Sequence, residues 1–492
     1  MRNRFEQQTQ LGIKLIEDTP VLQKSRDDVP ALLKALLEIY KTPEYNEQIF
    51  AILEDTLVKG KKRTGRKGLT LWQIFVLAQF RLGLNLDYDR LHFMVNTNNV
   101  LRQLMGIETE TGFERIEIGY QRILDHLHLL DDHTMIKIND VVVRFGHHQV
   151  FKKKETAALC VKTDSFVVQS NVHFPTDYNL LWDSSRKALG VIEWFKKKHP
   201  QLEGWRKSYD WFKQLKNLSR AMGVVSRSGG KDKQKRVKAV TKKYLTKALA
   251  FRNKLQQFKD TFAIDTVAGV IKTLELEKFM VLMDKHIDLI GRRLLQGEQI
   301  PHSEKLFSIF EQYTEWITKG KLHPNVELGK KTSITTDQYG LIIDRYIMEN
   351  ESDSQIVVPT SKRVLSKYQV ASWSFDKGFW HKDNKAYLKK KIPQVVMPKK
   401  GKPNKTENQE QQTPEFKKLR NKHSAVESNI NELEHCGLNR CPDRGFHGFK
   451  RYVTIAIVAY NLKRIGREML RKEQQDLKKK KQKQRAKQAA YK

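Results

Sequence analysis

The stretch Ala157-Ala-Leu-Cys-Val-Lys-Thr-Asp-Ser-Phe-Val-Val168 decides the fold. A short apolar run ends in Lys162-Thr163-Asp164, and apolar residues return at Phe166. Short apolar runs bounded by polar residues read as buried strands. Residues 28 to about 150 before it read as helical, and so do residues 185 to 318 after it. This is therefore the first strand of an α/β unit, and Asp164 stands where an apolar strand turns polar.

Working outward, the clearest helix starts at Thr70. Thr70 and Gln73 form a capping-box pattern, each side chain closing on the other's backbone. Leu71, Ile74, Phe75, Ala78 and Leu82 then repeat at helical spacing. A break at Gly83-Leu-Asn85 leads to a second helix capped by Asp87, with Tyr88, Leu91, Met94 and Val95 inward. The pair follows a basic arm, Lys59-Gly-Lys-Lys-Arg-Thr-Gly-Arg-Lys67. Two short helices behind such an arm suit DNA docking, with Lys61, Lys62, Arg63, Arg66 and Lys67 facing phosphates. An ordinary helical domain with a solvated loop is the alternative.

After the first strand, no strand signal interrupts 185–318, which reads as an inserted helical subdomain carrying a Lys-rich tract from Arg227 to Lys254. Strand signals return near 332. Thr332–Thr336, Asp337-Gln-Tyr-Gly340 and Leu341–Met348 read as a hairpin with a glycine-containing turn. Ser372–Phe375 and Pro393–Met397 are further strands. A polar linker spans Lys399 to Gln412. One helix then runs from Thr413-Pro414 to Gly437, and an apolar helix covers about 449–470. The basic tail 471–492 reads as a solvated or frayed helix.

The domains expected are thus a helical N-terminal DNA-binding domain (1–150), an α/β core in two pieces (151–184 and 319–470), the helical insertion (185–318) and the tail. Among the 492 residues, 91 Lys and Arg face 56 Asp and Glu, a formal net charge of +35. Such an excess seeks a polyanion, and nucleic acid is the usual one. There is no apolar run of about 18 residues, so no membrane span is expected. The N-terminus lacks a signal-peptide core, and three cysteines do not make a disulfide framework. A cytoplasmic, nucleoid-associated setting follows.

Chemistry on nucleic acid narrows the search to acids. Phosphodiester cleavage requires neutralisation of developing charge, which two Mg²⁺ ions about 3.5–4 Å apart supply. Mg²⁺ takes oxygen ligands, usually a few carboxylates. Asp164 ends an apolar run. Asp376, in Trp373-Ser-Phe-Asp-Lys-Gly378, ends another before a glycine turn. Glu427 lies mid-helix, on a polar stripe with Arg420, His423, Asn431 and Glu434. Each acid alone also fits a turn cap or a solvated face. Asp337 and Asp344 compete for the second position, although Asp337 has a ready role in its turn. His435, Cys436, Cys441 and His447 invite comparison with zinc sites, but C-x4-C with no second pair fits a packed turn better.

The ordered motifs resemble the DDE transposases of bacterial insertion sequences. The resemblance covers roughly residues 30–470. It runs through Gly65-Arg-Lys-Gly-Leu-Thr-Leu-Trp72, Lys162-Thr-Asp-Ser165 with Ser170–Asp177, and Thr314–Lys321. It continues through Asp337–Gly340, Phe375-Asp-Lys-Gly-Phe-Trp380, Glu427-Ser-Asn429, Gly437–Gly445 and Tyr460-Asn-Leu462. It implies a ribonuclease-H-like mixed sheet with flanking helices: first Asp on the first strand, second Asp on the fourth, Glu on a later helix. It implies catalysis and metal binding by Asp164, Asp376 and Glu427 with two Mg²⁺ or Mn²⁺ ions. It also implies phosphate contacts from Arg420 and His423, on double-stranded terminal inverted repeats and target DNA, in a homodimer or higher multimer. Related enzymes often carry Tyr and Arg where this chain has Arg420 and His423, and Lys where it has Glu434. A metal nuclease without strand transfer, or a non-enzymatic nucleic-acid-binding protein, would share much of this pattern.

Overall fold

The computed structural model describes residues 3–4, 11–60, 67–262, 266–318 and 325–490, with side chains to 486. The chain is mixed α/β and divides into two compact units. One comprises residues 1–171 and 317–492, the other Val172–Trp316. The inserted unit thus begins some residues earlier than the sequence reading set it.

The first unit is built on a mixed open sheet of seven strands. They are β1 (Leu159–Ser170), β2 (Glu315–Thr318), β3 (Val326–Thr336), β4 (Ile342–Ile347), β5 (Val370–Phe375), β6 (Gln394–Val396) and β7 (Arg440–Cys441). The order runs β4-β3-β1-β5-β6, with β4–β3 and β3–β1 antiparallel and β1–β5 and β5–β6 parallel. β2 also flanks β3, and β7 pairs with the last residues of β1. β1 is longer than its apolar run because its polar residues find partners within the sheet. Thr163 Oγ1 meets Thr335 Oγ1 at 2.7 Å and accepts from Trp373 Nε1 at 2.8 Å. Asp164 therefore lies inside a strand, not at its end.

The β3–β4 turn forms as read. Asp337 Oδ1 accepts from Tyr339 N (2.8 Å) and Leu341 N (2.9 Å), Gly340 takes φ +79°, and Asp337 Oδ2 lies 2.6 Å from His147 Nε2. Asp344 is held by Arg363 at 2.9 Å. Both competing acids are thus occupied in structural pairs.

The Thr70 capping box is present, and the helix runs Leu71–Gly83. It is buried on every side apart from Gln73, so it is a core helix with no free face to dock DNA. Asp87 caps Tyr88–Thr97 through Arg90 N at 2.7 Å. These helices belong to the same compact unit as the sheet, not to a separate domain.

The last helix runs unbroken from Gly445 to Ala490, absorbing the expected tail. Asn461 fixes it to the sheet. Its Oδ1 accepts from Ile342 N (2.8 Å), and its Nδ2 donates to Ile342 O (2.9 Å) and Asn139 Oδ1 (2.8 Å). At Gly466 the helix Val29–Lys41 crosses so closely that a Cβ would lie 1.8 Å from Ala31 O. Deeper in, Arg81 and Arg451 converge on Asp443, at 2.6 and 2.9 Å. Cys436 and Cys441 are both buried ahead of this helix, Cys436 in the helical segment Glu434–Leu438 and Cys441 in β7. Among the described residues, no helix is long and apolar enough to cross a membrane.

The second unit is helical: Asp177–Lys198, Ser208–Arg227, Lys233–Thr261 and Val267–Ile290. Its core gathers residues such as Leu181, Phe195, Met222, Tyr244, Phe251 and Met283. His286 is fully buried here, with neither ring nitrogen hydrogen-bonded. Burial, with Lys285 nearby, lowers its pKa from 6.5 to about 4. The unfolded chain therefore takes up a proton between these values before the folded one does, and stability falls as pH drops from 6.5 to 4. His286→Leu should remove a loss on the order of 3 kcal/mol over that window. The check is thermal unfolding of both proteins at pH 7.5 and 4.5. Equal acid sensitivity would show that other groups dominate.

Candidate active site

The parallel pairing of β1 and β5 ends at Thr163 opposite Phe375. The next residue in each case is an acid, Asp164 within β1 and Asp376 just after β5. Adjacent strands lie about 4.8 Å apart, so the two acids leave neighbouring backbones at adjoining positions. Side chains alternate along strands, and Lys162, Asp164, Ser372 and Ser374 share the face opposite Thr163 and Trp373. That face is covered by two short helices, Pro414–His423 and Ala425–Leu433. His423 Nδ1 meets Ser374 Oγ at 3.0 Å, which places the helix pair against β5.

Glu427 sits in the first turn of the second helix, exposed, and Asp376 is exposed as well. Asp164 is only partly exposed. Burial pushes its pKa up to about 6, against a hydrogen bond from Ser165 N (2.7 Å), and the charges of Asp376, Asp353 and Glu427 push it further up. Of the acids singled out in the sequence, Asp376 and Glu427 thus both act on Asp164. Among the described residues, however, no three His, Cys, Asp or Glu side chains converge at metal-ligand spacing. The two observations are compatible. Electrostatic coupling extends further than a coordination shell.

The fourth acid, Asp353, gave no signal in the sequence beyond that of a first-turn helix acid. It opens the helix Asp353–Leu365. Its Oδ1 accepts from Ser165 Oγ (2.7 Å) and its Oδ2 from Lys331 Nζ (2.6 Å). A Cβ on Gly378, two residues beyond Asp376, would lie 2.9 Å from Asp353 Oδ2. The turn after β5 is thus packed on Asp353, which fixes the backbone that carries Asp376.

The sequence reading placed Arg420, His423 and Glu427 on one helical stripe. The break at Ser424 separates them: Arg420 and His423 belong to the first helix and Glu427 to the second. Arg420 is exposed, with no carboxylate partner among the described residues. His423 is turned toward the sheet. Burial lowers its pKa, against the pull of Asp376, so it is largely neutral at pH 7. In that position Nδ1 is engaged by Ser374, while Nε2 is buried without a hydrogen-bond partner among the described residues. Lys67 is exposed, its carbonyl accepting from Arg122 Nη2 at 3.1 Å. Lys61, Lys62, Arg63 and Arg66 lie outside the described residues.

Between these strands and the helix pair is a pocket of about 390 Å³, lined among others by Lys162, Ser374, Asn421, Lys422 and Ser428 but by none of the three acids. Burial lowers the Lys162 pKa, with Asp337 opposing. Two cations and several hydroxyls give this pocket a lining suited to an anion. Comparison with protein-family models, curated proteins and solved structures finds no match.

Proposed function

We propose that this chain is a transposase that cuts and joins DNA at the ends of an insertion sequence, with Asp164, Asp376 and Glu427 as its catalytic carboxylates. The observation that carries the reading is the pair of acids delivered where β1 and β5 part, coupled to Glu427 from the covering helix. The sheet order supports it as well. With the short β2 set aside, Asp164 is on the first strand and Asp376 follows the fourth, as the family resemblance implies for a ribonuclease-H-like core.

The donor set suits a hard divalent cation: carboxylates, partly exposed, with mutual repulsion that a cation relieves. Asp164, Asp376 and Glu427 would hold Mg²⁺ or Mn²⁺, which when bound supplies charge neutralisation at the reacting phosphate. The chain's own residues do the rest. Asp353, through Lys331, Ser165 and the Gly378 turn, positions the strand ends. Lys162 and Arg420 offer positive charge to the phosphates on either side. Water opens the phosphodiester at the element end, and the released 3′-hydroxyl then attacks target DNA, with no covalent protein–DNA intermediate. By the same resemblance the active form is a multimer on paired ends.

The test is incubation of the full chain with a labelled duplex carrying the inverted repeats that flank its gene, plus Mg²⁺ or Mn²⁺. Cleavage leaving a 3′-hydroxyl, followed by joining to a second duplex, is expected. Cleavage without joining would favour a metal nuclease, and neither activity would overturn the assignment.

A further inference from the structure

The second unit has a charge distribution that the carboxylate site leaves unexplained. Between Ser208 and Lys254 the sequence carries 14 Lys and Arg and only two acids, Asp210 and Asp232. These residues form an antiparallel helical hairpin, Ser208–Arg227 and Lys233–Thr261, turning at Gly229-Gly230, where Gly230 takes φ +99°. The buried side, Leu215, Met222, Tyr244, Ala248 and Phe251, faces the unit's own core. The other side is basic.

Several of the unit's other acids are engaged away from the turn end of the hairpin, two of them by cations late in its second helix. Asp284 pairs with Arg252, Glu277 with Lys259, and Asp288, Glu298 and Glu304 all with Arg292. Lys235, Lys238, Lys242 and Lys243 are exposed and pair with no carboxylate among the described residues. Arg236 is exposed too, and donates only to Gly229 O at 2.5 Å, which fastens the turn. Helical spacing puts Lys235, Lys238 and Lys242 on one line. From Lys233 to Lys243 the helix rises about 15 Å. Over that length duplex DNA carries about nine negative charges. An exposed row of cations with no internal counter-charge loses stability by self-repulsion and regains it by releasing counterions from a polyanion.

We infer that this hairpin is a second DNA-docking surface, gripping the phosphate backbone of duplex DNA without reading its sequence. The inference rests on DNA being the partner of the chain but not on the acids being catalytic. It assigns the hairpin the role of holding the duplex, by charges that touch no reacting atom.

The test is equilibrium binding of the full chain to a fluorescent duplex of arbitrary sequence, in EDTA, from 50 to 200 mM NaCl. The variant is Lys235→Gln, Lys238→Gln, Lys242→Gln and Lys243→Gln combined, which leaves the turn bond of Arg236 in place. The control removes the same charge from the other unit, at Lys14, Lys24, Lys41 and Lys154. Loss of four phosphate contacts should lower the slope of log K against log salt by roughly 3–4 and weaken binding at least tenfold at 100 mM salt. The thermal midpoint should stay unchanged, because the substituted side chains are exposed. A slope equal to wild type, or a loss no larger than the control's, overturns the inference. EDTA silences metal-dependent cutting, so failure here is distinguishable from failure of the carboxylate site.

Discussion

Asp376→Asn is expected to lower metal-dependent DNA cleavage by about a thousandfold or more while leaving the fold intact. The amide keeps the shape of the side chain but removes one full negative charge from the proposed ligand set. A tenfold loss corresponds to about 1.4 kcal/mol of barrier, so a thousandfold loss is about 4 kcal/mol. That is in keeping with the several kcal/mol a bound metal supplies to developing charge. Asp376 is exposed and makes no ion pair among the described residues, so its removal costs the fold little. Single-turnover cleavage with circular dichroism as a control measures both effects. Asp353→Asn should behave differently. Asp353 is paired with Lys331 and Ser165, so its loss should weaken activity partially through misplaced strand ends, and Asp353→Glu should not restore it fully.

The largest effect on stability is expected at Asp443. Its side chain is 4% exposed, and that of Arg81 is 5%. Burial alone would push the Asp443 carboxyl up, but Arg81 and then Arg451 outweigh it and hold it below its ordinary range. Burial likewise works against the Arg81 charge, and Asp443 more than offsets it. Arg81 also lies over the Tyr88 ring, 4.0 Å from its centroid. Asp443→Ala leaves two buried guanidinia without a counter-charge. Breaking such a group by removing one partner costs about 3–5 kcal/mol. Because the network joins Leu71–Gly83 to Gly445–Ala490, chemical denaturation should show the first unit unfolding at clearly lower denaturant. A midpoint within experimental error of wild type would mean that solvent reaches the two arginines.

The sequence disclosed local devices well and tertiary ones poorly. The Thr70–Gln73 box and the Asp337 turn are settled within four residues, so their chemistry can be read directly. The extent of β1 could not be read the same way. Its run Lys162-Thr-Asp-Ser165 looks like a strand ending, and it continues only because Thr335 and Trp373 satisfy Thr163 from other strands. The full burial of Leu71–Gly83 was hidden for a similar reason: an apolar face predicts one buried side, and the other side is covered by distant segments. The helix break at Ser424 leaves no mark on the three-to-four periodicity of its neighbours. Of the candidate acids, Asp164 and Asp376 came from strand-end position and family resemblance together, and Glu427 from its helical stripe and the resemblance. Asp353 was out of reach, since a helix-opening acid is usually a dipole partner and nothing more.

The central claim is that three carboxylates form one cation site, and Mn²⁺ binding to the full chain without DNA tests it most directly. Titration followed by electron paramagnetic resonance should show wild type binding the ion, with affinity lowered at least tenfold in Asp164→Asn, Asp376→Asn and Glu427→Gln alike. Equal binding by wild type and all three variants would contradict the account.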